Sequence, residues 1–252
     1  MKIFSTLTLF ALLGTCATKK YTEKIQILKD NIALADSTLV IKYANTITSK
    51  ELKKHLYKYA SDEFEGRKVG EEGQKKAAQF LKDYYISENI ESAFGGDNYY
   101  QSIPSDFFSK NIKASENVLA FIQGSEKPDE ILIISAHLDH LGVLDDCRIS
   151  YGADDDGSGT VALMEMAQAF ALAKKEGHSP KRSVLFLHLT AEEIGKKGSE
   201  YYTENPVFPL ENTIANLNID MIGRIDDIHE NNKNYLYIIG SDRLSKELHY
   251  IS

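Results

Sequence analysis

The sequence predicts an α/β domain with a mixed, largely parallel sheet and helices on both faces. First, β-rich apolar runs alternate with helical segments, the pattern of strands joined through covering helices. Second, three of these runs end on candidate chemical groups: ILIISAHLDH (131–140) on His137 and Asp139, SVLFLHLTAEE (183–193) on Glu192 and Glu193, and ANLNIDM (215–221) on Asp220. In open α/β sheets the reactive groups collect outside the carboxyl ends of the strands, so these side chains are expected along one sheet edge. Third, 252 residues, 42% of them hydrophobic and 26% charged, suffice for one α/β domain with a sizeable core.

The elements follow in order. Residues 1–20 read as an export signal: one early Lys, an apolar core too short to span a bilayer, then small residues. Leu13-Gly14-Thr15-Cys16 also resembles a lipoprotein cleavage site, so the protein is expected to be periplasmic, extracellular, or anchored to the membrane through a lipid on Cys16. Residues 21–48 form a weakly periodic lead-in, and 49–252 form the main domain. Ser49 followed by KELKKHLYKYA predicts a capped amphipathic helix with Leu52, Leu56 and Tyr59 on one face. After a glycine-bearing loop, GQKKAAQFLKDYY predicts a second helix, with Ala77, Phe80, Leu81 and Tyr84 packed on the sheet. Residues 95–115 read as a polar, aromatic loop. NVLAFIQG and EILIISA, separated only by SEKPD, are expected to be antiparallel neighbours. TVALMEMAQAFALAKKEG is apolar around most of its circumference and predicts a buried helix stopped near Gly177.

The formal net charge of -8 and the lack of a long basic run argue against nucleic-acid binding, which needs clustered Lys and Arg. With Cys16 and Cys147 as the only cysteines there is no disulfide framework, and Cys147 reads as a free or buried thiol. The acids call for something else. Asp154-Asp155-Asp156 opens the buried helix, and gathering these carboxylates with those at the strand ends opposes folding unless a cation sits among them. Imidazole and carboxylate oxygen together suit zinc, with manganese or cobalt as alternatives. One carboxylate can bridge two ions, and another that binds none is needed as base. Neighbouring side chains in extended chain point to opposite sides, so Glu192-Glu193 at a strand end can supply one ligand and one base.

At these residues a resemblance becomes specific. A-H-L-D-H-L-G, G-A-D-D-D-G-S-G, T-A-E-E-I-G-K-K-G-S and N-I-D-M-I-G-R, in this order and spacing, resemble the co-catalytic zinc aminopeptidases of metallopeptidase family twenty-eight. D-E-F-E-G-R and G-Q-K-K-A-A extend the likeness, so that it covers roughly residues 50–245. The resemblance implies a phosphorylase/hydrolase-like zinc exopeptidase fold that removes N-terminal residues from peptides. It further implies that His137 and Asp220 hold one zinc, Asp155 bridges two, Glu193 binds the other, and Glu192 is the general base. By the same carry-over, Asp139 hydrogen-bonds the outer nitrogen of His137.

The family's fifth ligand, a histidine on a loop after a further strand, has no counterpart before Ser252, and His249 matches no family position. A domain lacking its C-terminal part is therefore expected, with one tightly held ion and a second held weakly by Asp155 and Glu193 alone. Other residues take blander readings. His140 is expected to hydrogen-bond locally, His188 to be a core or interlayer histidine, and Arg67 and Arg224 to be structural ion-pair partners. Within the same fold, carboxypeptidases and glutaminyl cyclases are alternative activities. From another class, the chain could be a non-catalytic metal-binding or peptide-binding relic.

Overall fold

The computed structural model describes residues 36–109 and 111–244, with isolated positions at 23, 26, 27, 30 and 249. The expected export signal at 1–20 lies outside the described residues. The chain divides into two compact units, Ile41–Asp226 and a second formed by residues up to Val40 with those from Asp227 onward. In the second unit a short turn, Asp227–His229, precedes a stack of the His229 and Tyr235 rings with centroids 3.8 Å apart.

The larger unit holds a mixed six-stranded sheet. Its strands are β1 (Glu91–Ser92), β2 (Tyr100–Ile103), β3 (Ser115–Ile122), β4 (Lys127–His137), β7 (Arg182–Leu189) and β8 (Thr213–Asn218). They lie in the order β1-β3-β7-β4-β8, with β2 paired to β3 beside β1. β7, β4 and β8 run parallel, whereas β3 is antiparallel to β7 and to both short edge strands. Two further strands, β5 (Gly142–Val143) and β6 (Ile149–Ser150), form a separate ribbon.

Two expectations change here. β3 and β4 are not neighbours, because β7 lies between them. The intervening turn hydrogen-bonds residues that lead into β7, from Ser125 N to Pro180 O and from Lys127 N to Lys181 O, and so holds the strands open for a third. The 95–115 stretch is also not all loop, since β2 pairs with β3 from Tyr100 opposite Val118 to Ile103 opposite Ser115. A four-residue edge strand needs only Gln101 and Ile103 buried, too brief an alternation to register as a strand signal.

Helices cover both faces, and alternation along the strands decides which side chain meets which layer. On one face Val184, Phe186, Ile134 and Ala136 pack with α2 (Ser49–Tyr59), α3 (Glu72–Ser87) and α4 (Gly159–Lys175) through Tyr59, Leu81, Tyr85, Leu163 and Ala167. On the other, Leu185, Leu187, Ile131 and Ile133 pack with Tyr202 of α5 (Lys197–Glu204). α4 is buried around most of its first half, from Gly159 through Glu165, as its composition predicts. The lead-in carries α1 (Ser37–Ala44). α2 is capped by Thr48 rather than Ser49: the Thr48 side chain accepts from Glu51 N at 3.2 Å and donates to the Glu51 carboxylate at 2.6 Å, a reciprocal cap.

Candidate active site

The parallel strands end together. His137 is level with Leu189 and Ser135 with Asn218, so β4, β7 and β8 deliver their following residues to one edge. His137 closes β4 itself, while Glu192–Glu193 and Asp220 lie just beyond β7 and β8. The glutamate pair follows Ala191, which has φ of +59°, so it is set by a tight turn and not by extended alternation. The acidic triplet enters from β6 through a wide turn, Ala153–Ser158, that feeds α4.

Four of the expected residues meet, and Glu192 adjoins Glu193 on the turn after β7. The His137 Nε2 atom lies 3.0 Å from Asp155 Oδ1 and 3.9 Å from Asp220 Oδ1. Asp155 belongs to a second group with His140 and Glu193, and within each group the ligand-type atoms all lie within 4.8 Å of one another. His137 is 3% exposed, but the side chains of Asp155 and Asp220 are 36% and 43% exposed, so the cluster opens to solvent on their side. Glu192 is half-buried, and its charge reaches His137. Burial works against a charged His137, but Asp139, Asp156, Asp220 and Glu192 outweigh it and raise the imidazole pKa. The same field draws a metal cation.

The donor set fits zinc. His137 Nδ1 lies 3.2 Å from the backbone carbonyl of Asp139, which can only accept, so that nitrogen carries the proton. Nε2 faces the Asp155 carboxylate at 3.0 Å, and a cation taking the place of a proton on Nε2 would be held by both. This corrects the role expected of the Asp139 carboxylate. It stands 3.8 Å from Nδ1, beyond hydrogen-bond reach, and instead accepts from Glu192 N at 3.0 Å and Glu193 N at 3.4 Å. The residue still orients His137, but through its carbonyl, while its side chain pins the glutamate turn. Burial raises the Asp139 pKa to about 6.

Asp156 has a role that the sequence did not single out from the triplet. It is fully buried and accepts from His137 N at 3.2 Å, Gly159 N at 2.9 Å and Met221 N at 3.3 Å. One carboxylate thereby ties the end of β4, the start of α4 and the segment after β8, the three sources of His137, Asp155 and Asp220. Burial lifts its pKa to about 7, with Asp220 adding to the rise and His137 and the Gly159 and Met221 amides opposing it.

Arg67 is structural, as expected, but its hydrogen-bond partners are carbonyls and not a carboxylate. Completely buried, it donates to Leu138 O at 3.0 Å, Tyr59 O at 3.0 Å, Tyr151 O at 2.9 Å and Gly152 O at 2.8 Å. Leu138 sits between His137 and Asp139, and Gly152 leads into the triplet, so this one guanidinium fixes two site loops. No sequence signal distinguishes it from a surface arginine. Arg224 does form an ion pair, with Asp154 at 3.2 Å. His188 is a core histidine, its Nε2 2.6 Å from the Tyr85 hydroxyl, and burial lowers its pKa to about 3. Cys147 is an exposed free thiol.

The sequence profile of Peptidase family M28 matches residues 117–246, just over half of the chain, and the protein belongs to that family. Among curated relatives, a protein of Arabidopsis thaliana described as "Probable glutamate carboxypeptidase LAMP1" is 37% identical over 106 residues, covering 42% of this chain and 14% of its own length. "Aminopeptidase NAALADL1" of Mus musculus is 37% identical over 112 residues, covering 44% of this chain and 14% of its own. The chain thus matches only a small fraction of either relative. Among solved structures, LapB from Legionella pneumophila superposes with a TM-score of 0.54 at 23% identity, covering 75% of this chain and 47% of that one. A Zn-dependent exopeptidase from Parabacteroides distasonis does so with 0.54 at 15% identity, covering 70% and 62%. These likenesses establish the α/β zinc-exopeptidase fold, and the protein is a member of a zinc peptidase family whose relatives include both aminopeptidases and carboxypeptidases.

Proposed function

We propose that the protein is an exported zinc aminopeptidase that hydrolyses N-terminal residues from peptides. The observation that carries this reading is the position of Asp155, shared between a His137–Asp220 pair and a group containing Glu193, with Glu192 alongside. His137 and Asp220 would hold one ion, Glu193 a second, and Asp155 both. Bound zinc supplies the positive charge that acidifies water and balances the negative charge developing on the carbonyl oxygen. Glu192 accepts the proton lost by the attacking water and returns it to the departing amine as the carbon–nitrogen bond breaks. Asp139 holds the Glu192–Glu193 turn through its two backbone amides, and Asp156 keeps the other ligand segments in register, so little rearrangement is needed as the reaction proceeds. A peptide enters from the side on which Asp155 and Asp220 are exposed.

A carboxypeptidase is the second reading, favoured by the 37% identity to the Arabidopsis protein. One assay separates the two. An aminoacyl-p-nitroanilide should be cleaved in a chelator-sensitive manner, while an N-acylated dipeptide is left intact. Cleavage of the acylated dipeptide alone would move the protein to the carboxypeptidases. Export is tested separately by the mass of the mature N-terminus, which should begin near residue 20 or at a lipidated Cys16.

A further inference from the structure

We infer that Asn117, on β3, is a positioning residue for Glu192: its side-chain amide clamps together the two ends of the loop that carries the base. The inference rests on the peptidase reading above and adds a residue that acts on the reaction only through Glu192. Glu192 and Glu193 lie on a loop that leaves the sheet after β7 and returns at the start of α5. At the outgoing end Thr190 N donates to Asn117 Oδ1 at 2.9 Å, and at the returning end Gly198 O accepts from Asn117 Nδ2 at 3.0 Å. Thr190 N can only donate and Gly198 O can only accept, so these partners fix which way the Asn117 amide faces. The β3–β7 ladder has its last pair at Val118 opposite His188, which puts Asn117 where the two strands part and the loop begins.

The loop is built to transmit that clamp to the base. Gly198 N donates to Thr190 O at 3.0 Å and Lys197 N to Ala191 O at 2.9 Å, which closes its neck, and Gly195 N and Lys196 N both donate to Glu192 O at 2.9 Å. With Glu192 N held by Asp139, both backbone groups of the base are taken, so Glu192 moves only if the loop moves. Asn117 is itself fully buried and donates to Gln101 Oε1 at 2.9 Å, while Ser115 on the same strand pairs its hydroxyl with that of Thr190 at 2.7 Å. The returning end is tight: a Cβ on Gly198 would lie 2.6 Å from Asn117 Oδ1 and 2.1 Å from Thr190 O, so only glycine lets the amide reach both ends. Without Asn117 the neck loses its bond to β3, and a displacement of about 1 Å in a catalytic group costs on the order of 100-fold in rate.

A double-mutant cycle with Glu192→Gln tests this, read as hydrolysis of an aminoacyl-p-nitroanilide by the zinc-loaded protein. Asn117→Ala should lower kcat about 10–100-fold while KM changes less than about threefold. In the Glu192→Gln background, where there is no base left to position, the same substitution should cost less than about threefold in kcat. A residue that only stabilises the core would lose the same factor in both backgrounds. That result, or a kcat for Asn117→Ala within about twofold of wild type, overturns the inference. Circular dichroism shows whether Asn117→Ala folds. If it does not, Gln101→Leu on the edge strand β2 removes an acceptor that fixes the Asn117 amide, and it should show the same dependence on Glu192 with a loss of about 3–10-fold. No loss, or an equal loss in both backgrounds, overturns the inference there too. A wild-type protein without chelator-sensitive hydrolysis refutes the peptidase reading and the role of Asn117 with it, an outcome distinct from the others.

Discussion

Replacing Arg67 should damage both the fold and the metal centre, because one buried guanidinium serves four backbone carbonyls. Hydrogen bonds from a charged donor contribute about 1.5–3 kcal/mol each, and an unsatisfied buried carbonyl costs about 1–3 kcal/mol. Arg67→Met leaves the Tyr59 and Tyr151 carbonyls without a donor, while Leu138 O keeps the Tyr59 hydroxyl and Gly152 O keeps the Gly157 amide. Even with partial relief by water and with the guanidinium's own desolvation cost removed, the loss should reach about 4 kcal/mol, a large share of the ~5–15 kcal/mol that stabilises a typical domain. Arg67→Lys keeps the charge but not the planar fork, and cannot span carbonyls on both sides, so about 2–3 kcal/mol is expected. In a domain of this size that lowers Tm by about 5–10 °C. Urea unfolding followed by circular dichroism measures the stability, and a parallel zinc titration should show weaker binding because the loops beside His137 and Asp155 loosen together. A loss below about 1 kcal/mol for Arg67→Met, with an unchanged urea dependence, would refute the claim that these bonds hold the site loops.

Three further outcomes are expected. Glu192→Gln should retain zinc and lower kcat by about 10²–10⁴-fold, since it removes a proton acceptor and no ligand; retention of most activity would show that the base lies elsewhere. Asp156→Asn sets an amide N–H against a backbone N–H at one of three contacts and should weaken zinc binding about 10–100-fold by calorimetry, whereas unchanged affinity would demote Asp156 to a bystander. Glu165 is fully buried on α4, with neither carboxylate oxygen hydrogen-bonded among the described residues and His55 Nε2 3.4 Å away. Burial first, then Glu51 and Glu88, raise its pKa from 4.5 to about 7. A carboxyl whose folded pKa is raised contributes stability that is full below pH 4.5 and lost as pH rises through about 7. Glu165→Gln should therefore be more stable than wild type at pH 8, by up to about 3 kcal/mol, with the gap closing toward pH 4.5. A gap independent of pH would mean that His55 or water already neutralises the group.

The sequence exposes the strand-end chemistry well. Apolar runs that stop on His137, Glu192–Glu193 and Asp220 declare both a strand and its reactive end, and parallel strands must bring such ends to one edge. Pairing order is less visible. A short turn between β3 and β4 suggests a hairpin, yet β7, more than forty residues later, takes the place between them through contacts that no local pattern records. The supporting groups are the least legible. Nothing in DEFEGRKVG marks Arg67 as buried, and the choice between Asp139's carboxylate and its carbonyl as the partner of His137 depends on a turn about 0.6 Å more or less open. His140 was readable as a hydrogen-bonding residue, but its neighbour Glu193 is 53 positions away in sequence.

The central claim, that this edge is the zinc centre, is tested most directly by anomalous diffraction at the zinc edge from crystals of the zinc-loaded protein. The account predicts a peak within about 2.0–2.2 Å of His137 Nε2 and of the Asp155 and Asp220 carboxylates. Zinc bound only elsewhere, with His137 Nε2 and Asp155 still in direct contact and no peak between them, would contradict it.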